Sequence, residues 1–500
     1  MPSLARPTDL FDREHEWEEL SNFVSDASPG LRIGIVYGRR RQGKSYPLRR
    51  LAGATGGFYY QALEHEPRQA LAELGERLGA HLGVGRLALA DWDEAVLSLG
   101  RLASRMSGGA VPFTLPMVPG GVSVVRPAVA IIDEFPYLLE RSPELPSLLQ
   151  RAVDRSKEEN WPPVRLILCG SAISVMSELL EGQGALRGRV HANLLMRPFS
   201  YLDARRFWGI ADERLAFRVD AILGGTPGYR ELVRSPPSSL ADLDDWVVDD
   251  VLSPGSALFR EDEWLLGEQR GMENRALYLS VLASIAEGSG TQTAIANKLG
   301  RSQQSALHPL DALVRSGFLE KDDDVVRQRR PVYRIADPII RFHQVVRHPR
   351  TALFEDRRGV EAWADSRTSF ESLVLGPHFE HLARVHIRRV GEKRFGAPIV
   401  TVGTTVINDK DDRAAHELDI VALGPGTGPQ HRVIEAIGEA KLRQMDGDDL
   451  DRLDRIRPVL RGAQTARIVL VSASGFSAEL VGQAKYRPEV HLVGLEEIYS

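Results

Sequence analysis

Gly38-Arg39-Arg40-Arg41-Gln42-Gly43-Lys44-Ser45 follows the apolar run Leu31 to Tyr37 and precedes an amphipathic stretch. It fits the spacing G-x-x-x-x-G-K-[ST] in the strand-then-helix context which that spacing needs. Gly38 and Gly43 let backbone N–H groups curl around a phosphate. Lys44 would reach the β- and γ-oxygens, and the Ser45 hydroxyl would ligate Mg2+ at a helix N-terminus. The stretch therefore predicts a nucleotide phosphate site and, with it, an α/β sheet.

Working outward, short apolar runs at Leu31 to Tyr37, Gly57 to Tyr60, Ala128 to Ile132 and Arg165 to Cys169 alternate with stretches of helical spacing at Pro67 to Leu82 and Ser142 to Lys157. That alternation predicts parallel strands covered on both faces by crossover helices. Val129-Ala130-Ile131-Ile132-Asp133-Glu134 is a strand ending in two carboxylates. Asp133 is expected to bind Mg2+, and Glu134 to act as the general base for attack on the γ-phosphate. The next strand, Leu166 to Cys169, ends in Gly170-Ser171, and Ser171 is placed to sense the γ-phosphate or the attacking water. Arg187 and Arg189 follow a glycine-rich stretch, as a mobile or trans-acting arginine finger requires, with Arg189 the candidate and a solvated loop arginine the alternative. The Gly, Pro and Val-rich segment Ser107 to Val125 reads as a loop or hairpin insertion.

The chain has 500 residues, enough for roughly three domains at about 150 residues each. Its 63 basic and 68 acidic residues give a net charge of −5, which excludes a polycation that coats nucleic acid. The one cysteine, Cys169, excludes an intramolecular disulfide and a cysteine-rich zinc site; it reads as a small buried hydrophobe. With no apolar signal core and no run near 18 apolar residues, a soluble cytoplasmic protein without membrane contact is expected.

Charge is unevenly distributed. Residues 231 to 270 hold 10 acidic and 3 basic side chains, net −7, whereas 291 to 350 hold 11 basic and 6 acidic, net +5. The basic segment reads as helices over Ala276 to Ile285, Thr291 to Leu299 and Ser302 to Ser316, then strands around Phe318 and Tyr333, which together predict a winged helix-turn-helix. Arg327-Gln328-Arg329-Arg330 in the wing would grip DNA phosphates without reading sequence, the alternative being a structural lid.

Residues 370 to 500 return to an α/β pattern, with strands near Glu417 to Leu423, Arg432 to Ala440, Ala466 to Val471 and Val490 to Val493. Asp419 on the first and Glu439-Ala440-Lys441 on the second, joined past a turn at Gly424 to Gly428, make D-x(19)-E-x-K on adjacent strands. Asp419 and Glu439 would clamp Mg2+, Lys441 would orient an attacking water, and Glu380 on the preceding helix Phe379 to Arg389 is the added acid. A solvated sheet edge with a Glu-Lys pair is the plain alternative. The acidic clusters Asn408 to Arg413 and Asp446 to Asp454 read as solvated loops, and His378 and His381 as helix-surface residues.

Taken in order, these motifs resemble the archaeal-type P-loop ATPases, a branch of the STAND and AAA+-like NTPases. Phe11-Asp12-Arg13-Glu14 with Glu18, Glu19 and Leu20 is similar to the family's opening, which lies by the adenine, so the resemblance implies that Arg13 binds nucleotide. Pro198-Phe199-Ser200, Gly224-Gly225-Thr226-Pro227-Gly228-Tyr229 and Tyr333 to Pro338 resemble later family elements. His343 departs from the family's usual tryptophan, and Ala185-Leu186-Arg187 from its usual lead into Gly-Arg. The C-terminal pattern resembles the PD-(D/E)XK nuclease superfamily.

The expected fold is therefore α/β: a P-loop NTPase parallel sheet over 1 to 230, an acidic helical linker and winged helix over 231 to 348, and connecting helices with a restriction-endonuclease-like α/β domain over 349 to 500. The resemblance implies an ATPase with ATP and Mg2+ as cofactors and DNA as partner, a homo-oligomer if the arginine acts in trans, and a role in defence or mobile-element maintenance. The alternative is a STAND-like regulatory switch whose last domain is catalytically inactive.

Overall fold

The computed structural model describes residues 4–108, 126–182, 184–269, 272, 274–327, 331–409, 414–426 and 432–500. The expectations for Ser107 to Val125, Arg327 to Arg330, Asn408 to Arg413 and the turn Gly424 to Gly428 lie wholly or partly outside the described residues. The chain divides into two units: Met1–Pro198 with Thr226–Gly228 and Glu268–Gly271, and Phe199–Gly225 with Tyr229–Gly267 and Met272–Ser500.

In the first unit the apolar runs become β1 (Leu31–Tyr37), β2 (Phe58–Gln61), β3 (Ala128–Asp133) and β4 (Val164–Gly170), joined by β5 (Val190–Leu195). All pairings are parallel, in the order β2-β3-β4-β1-β5. Successive side chains point to opposite faces of a strand. Ile33, Ile35, Ala130, Leu166 and Leu168 therefore fill one core, while Val36, Val129, Ile131, Ile167 and Cys169 fill the other with Leu48 and Leu51. Both faces are covered, so the central strands are continuously apolar. β5 has no such run. It is an edge strand with alternating, half-buried residues, Val190-His191-Ala192-Asn193-Leu194-Leu195, which is why an apolar-run reading passes over it.

The second unit contains helices Arg275–Ala286, Gln292–Lys298 and Gln303–Arg315, then β6 (Leu319–Asp323) and β7 (Pro331–Ile335) paired antiparallel. This is the element order expected over the basic segment. Thr291 and Ser302 cap their helices by accepting from Ala294 N and Ser305 N. A separate mixed sheet follows: β8 (Thr401–Asp409), β9 (Ala414–Gly426), β10 (Arg432–Lys441), β11 (Arg467–Ser472) and β12 (Val490–Gly494), ordered β12-β11-β10-β9-β8. β8, β9 and β10 run antiparallel, and β10, β11 and β12 parallel. The helix Gly376–Phe395 packs on β8 to β10, and Gly447–Val459 on β10 and β11. Like β5, β8 is an edge strand, rich in threonine, that the sequence does not announce.

Three readings are corrected. Gly424 continues β9 and does not begin a turn. Asp446 to Asp454 is not a solvated loop: Asp446 caps the helix Gly447–Val459 in a capping box with Asp449, Asp449 pairs with Arg443, and Asp454 pairs with Arg487. His378 does not stand free on a helix surface, because Nε2 bonds Asp220 Oδ2 at 2.8 Å, and His381 is partly buried.

Candidate functional site

The phosphate loop joins β1 to the helix Ser45–Thr55. Gly38 has φ +154°, and a Cβ there would lie 2.4 Å from the Met196 carbonyl and 2.7 Å from Gln42 Oε1. Gly43 has φ +79°, and Arg41 is also left-handed at φ 66°. Gln42 Oε1 accepts from Arg39 N at 2.7 Å, and Lys44 Nζ donates to the Arg39 carbonyl at 2.8 Å. The loop is thus curled on itself, with Lys44 only 6% exposed. Burial pulls the Lys44 ammonium below its ordinary value, against the opposing charges of Glu134, Asp133 and Glu268.

β1, β3 and β4 run parallel, so their carboxyl ends emerge on one edge and bring Gly38, Asp133-Glu134 and Ser171 together. Asp133 is fully buried. Burial works to raise its carboxyl, but hydrogen bonds from Ser45, Tyr59, Cys169 and the Glu134 N–H outweigh it and keep the group ionised. Tyr59 Oη donates to Asp133 Oδ2 at 2.5 Å. Glu134 occupies the left-handed region at φ 54°, an unfavourable backbone that aims its side chain toward Ser171, whose Oγ donates to Glu134 Oε2 at 3.2 Å. Burial, with the Asp133 charge, raises the Glu134 carboxyl despite Lys44, in the direction that suits a general base.

Ser45, Asp133 and the loop fit a magnesium nucleotide. The Ser45 hydroxyl helps keep the Asp133 carboxylate ionised, and a Cβ would fill the cradle at Gly38. Arg13 stands behind the loop, with φ 71° and 5% exposure. Its guanidinium donates to the Gln42 carbonyl at 3.2 Å, the Arg197 carbonyl at 2.7 Å and Glu16 at 2.8 Å, so the contacts it makes hold the loop.

Arg189 is not brought to this site. β5 pairs with β1 from Ile33↔Val190 to Tyr37↔Leu195, so Arg189 precedes the wrong end of the strand. One residue before Val190, it stands level with Arg32, and five residues at about 3.3 Å each put it roughly 17 Å back along the sheet from Tyr37. There it makes a two-pronged bond to Asp154 at 2.9 and 3.3 Å. Arg189 is thus held at the opposite end of the sheet from its own chain's loop.

Sequence reasoning missed Tyr59, which lies within the short strand β2 and carries no motif, and Glu268, which pairs with Arg40 of the loop. Glu268 lies 228 residues from Arg40, and no local pattern signals it.

In the second unit, Asp419 and Glu439 lie on the paired strands β9 and β10 at 6% and 2% exposure. Lys441 Nζ lies 3.1 Å from Asp419 Oδ2 and 2.7 Å from Glu439 Oε2, a cation held between two carboxylates. Asp419 Oδ2 also accepts from Ala440 N at 3.0 Å. Burial alone would lower Lys441, but the two carboxylates raise it above its ordinary value. Burial and the Asp419 charge push both Glu380 and Glu439 up. The donor set fits a divalent cation, because its carboxylates already converge on one positive charge. Arg452, which no motif indicated, ion-pairs with Glu439 Oε1, and Arg384 donates to the Asp419 carbonyl at 3.0 Å.

Among the described residues, no helix is long and apolar enough to cross a membrane. No family model matches the chain. An uncharacterized protein of Methanocaldococcus jannaschii is 25% identical over 377 residues, covering 75% of this chain and 76% of its own. Among solved structures, the chain is similar to a Walker-type ATPase of Pyrococcus abyssi, with 20% identity and a TM-score of 0.43 over 69% of this chain and 98% of that one. It is also similar to the ORC2 protein of Aeropyrum pernix, with 14% identity and a TM-score of 0.41 over 73% of this chain and 97% of that one.

Proposed function

We propose that the protein is a P-loop ATPase that binds and hydrolyses Mg-ATP, and that its nucleotide state controls DNA binding or metal-dependent DNA cleavage by the C-terminal carboxylate site. The observation that carries the reading is the convergence of Lys44, Ser45, Asp133, Glu134 and Ser171 on the carboxyl edge of one parallel sheet. Lys44 binds the β- and γ-oxygens, and Ser45 with Asp133 holds Mg2+, which when bound neutralises phosphate charge. Glu134 accepts the proton of the attacking water as its oxygen bonds the γ-phosphorus and the bridging oxygen leaves with ADP. Ser171 orients Glu134 and the water. In the second unit, Asp419 and Glu439 hold a divalent cation and Lys441 orients the water that attacks a DNA phosphodiester.

A second reading has its own support. Arg452 already neutralises one oxygen of Glu439, as expected of a C-terminal domain that has lost cleavage and serves an ATP-driven switch. One set of assays separates the two. ATP hydrolysis and DNA cleavage are followed in the full chain with Mg2+ or Mn2+, comparing wild type with Lys44→Ala, Glu134→Gln and Asp419→Ala. Glu134→Gln is expected to lower hydrolysis about 10²–10⁴-fold while leaving ATP binding within a few fold. Lys44→Ala is expected to lose binding. Cuts that vanish in Asp419→Ala support the nuclease; hydrolysis without cuts in any condition supports the switch. A wild type that binds no ATP overturns both.

A further inference from the structure

The hairpin of β6 and β7 is joined to the edge of the C-terminal sheet. Val325 N donates to the Thr404 carbonyl at 3.3 Å, and Thr405 Oγ1 donates to Asp324 Oδ1 at 2.7 Å. Val325 packs against the apolar core of that sheet, and its methyl stands 2.4 Å from where a Cβ on Gly403 would lie. The hairpin that follows the three helices is therefore seated on β8 and not held apart as an independent wing.

Basic groups from three elements act on one another and on Glu380 or Asp419: Arg334 on β7, Arg341 on the helix Pro338–Phe342, and His381 and Arg384 on Gly376–Phe395. Each acts on its neighbours. Burial, with the Arg334 charge, holds Arg341 down at about 10, and burial with Arg334, His378, Arg384 and Arg341 drives His381 well below its ordinary value. Burial likewise lowers Arg384, against Glu380, Asp419 and Asp322.

Two of these cations bond only neutral oxygens among the described residues: Arg341 donates to the Leu373 carbonyl at 3.2 Å and Arg384 to the Asp419 carbonyl at 3.0 Å. Arg334 pairs with Glu320, lies 3.8 Å from Asp322, and keeps its buried Nε without a hydrogen-bond partner. Partly buried cations whose hydrogen bonds go to neutral carbonyls keep N–H donors and charge to offer an arriving anion. A phosphodiester is an anion of the right class, and Asp419 and Glu439 would hold the cation that accompanies it.

We propose that Arg334 of the hairpin and Arg384 of the long helix bind the DNA phosphate beside the Asp419–Glu439 site, so that hairpin and C-terminal sheet hold one and the same duplex. This rests on reading those carboxylates as a phosphodiester site. Arg334 acts in substrate binding, and Arg384 both contacts the phosphate and positions the Asp419 segment.

The test measures binding of a labelled duplex to the full chain by fluorescence anisotropy across a salt series, in EDTA and in Ca2+, with cleavage followed separately in Mg2+ and Mn2+. Arg334→Gln and Arg384→Gln are each expected to weaken binding about tenfold and to reduce the slope of log affinity against log salt by about one. Arg334→Lys, which keeps the charge, should restore most of the affinity, and a melting curve identifies any variant that fails to fold. Arg358→Gln, an exposed arginine paired with Glu361 in the same unit, is the control and should bind as wild type. The proposal is overturned if the wild type binds no duplex, or if Arg334→Gln and Arg384→Gln bind like Arg358→Gln. The two readings separate cleanly. A wild type that binds duplex but never cuts, with binding weakened in Arg334→Gln, sinks the nuclease and keeps the phosphate contact, whereas cutting that survives Arg334→Gln with unchanged affinity does the reverse.

Discussion

The same substitution, glycine to alanine, should have opposite effects at two positions fifteen residues apart. At Gly38 the added Cβ meets the Met196 carbonyl at 2.4 Å, and that carbonyl is backbone, tied in place because Met196 N donates to the Tyr37 carbonyl at 2.7 Å. Overpacking of this kind costs about 1–3 kcal/mol. A non-glycine residue held at φ +154° adds about 1–3 kcal/mol more. If the free loop relaxes and must be driven back to its nucleotide-binding shape, the total is roughly 2–6 kcal/mol, and at about 1.4 kcal/mol per tenfold this is a loss of affinity of about 25-fold or more; if it does not relax, the same cost lowers the melting temperature. Gly53 lies on the exposed face of the helix Ser45–Thr55, with nothing within 4 Å of an added Cβ. There alanine should stabilise by about 0.5–1 kcal/mol through the unfolded chain's lost freedom. Titration with a fluorescent ATP analogue and thermal melting of both variants check the pair. Gly38→Ala binding ATP within twofold of wild type, with an unchanged melting temperature, would falsify the loop geometry described above.

Two further outcomes follow from the second unit. Glu380 binds its proton more tightly in the folded chain, owing to burial and the Asp419 charge, so its contribution to stability is complete below the ordinary glutamate value and is lost as pH rises through the folded one. In metal-free buffer Glu380→Gln should therefore raise the melting temperature by a few degrees near pH 8 and leave it unchanged near pH 4, and an equal shift at both would refute the assignment. Asp262 is fully buried and bonds His343 at 2.8 Å, Arg347 at 3.1 Å and His348 at 2.7 Å. Asp262→Ala leaves the buried Arg347 cation with Glu263 alone, at a cost of about 3–5 kcal/mol, read as a lower urea midpoint; a midpoint equal to wild type refutes it.

Much of the first site was legible because its chemistry is local. The loop, its strand and its helix are contiguous, and Gly38 and Gly43 mark backbone that only glycine takes without strain. The order of Asp419 and Glu439-Ala440-Lys441 was equally plain, as was the continuous apolar character of the strands buried on both faces. Edge strands lack that character, so neither β5 nor the place of Arg189 relative to the loop was legible. His343 was visible only as a departure from a family pattern; the tertiary structure supplies its partner, Asp262, 81 residues away.

What the sequence determined by itself is therefore the pair of chemical motifs and the strands that carry them, since both depend on spacing along a few residues. Which side chains meet was decided by the fold. The Ser171 hydroxyl reaches Glu134 because β3 and β4 are neighbours, Arg13 holds the loop from behind, Tyr59 and Cys169 keep Asp133 ionised, and Lys441 settles between Asp419 and Glu439. Hydrogen bonds and ion pairs depend on distance in space, and strand pairing sets that distance without leaving a mark in local spacing.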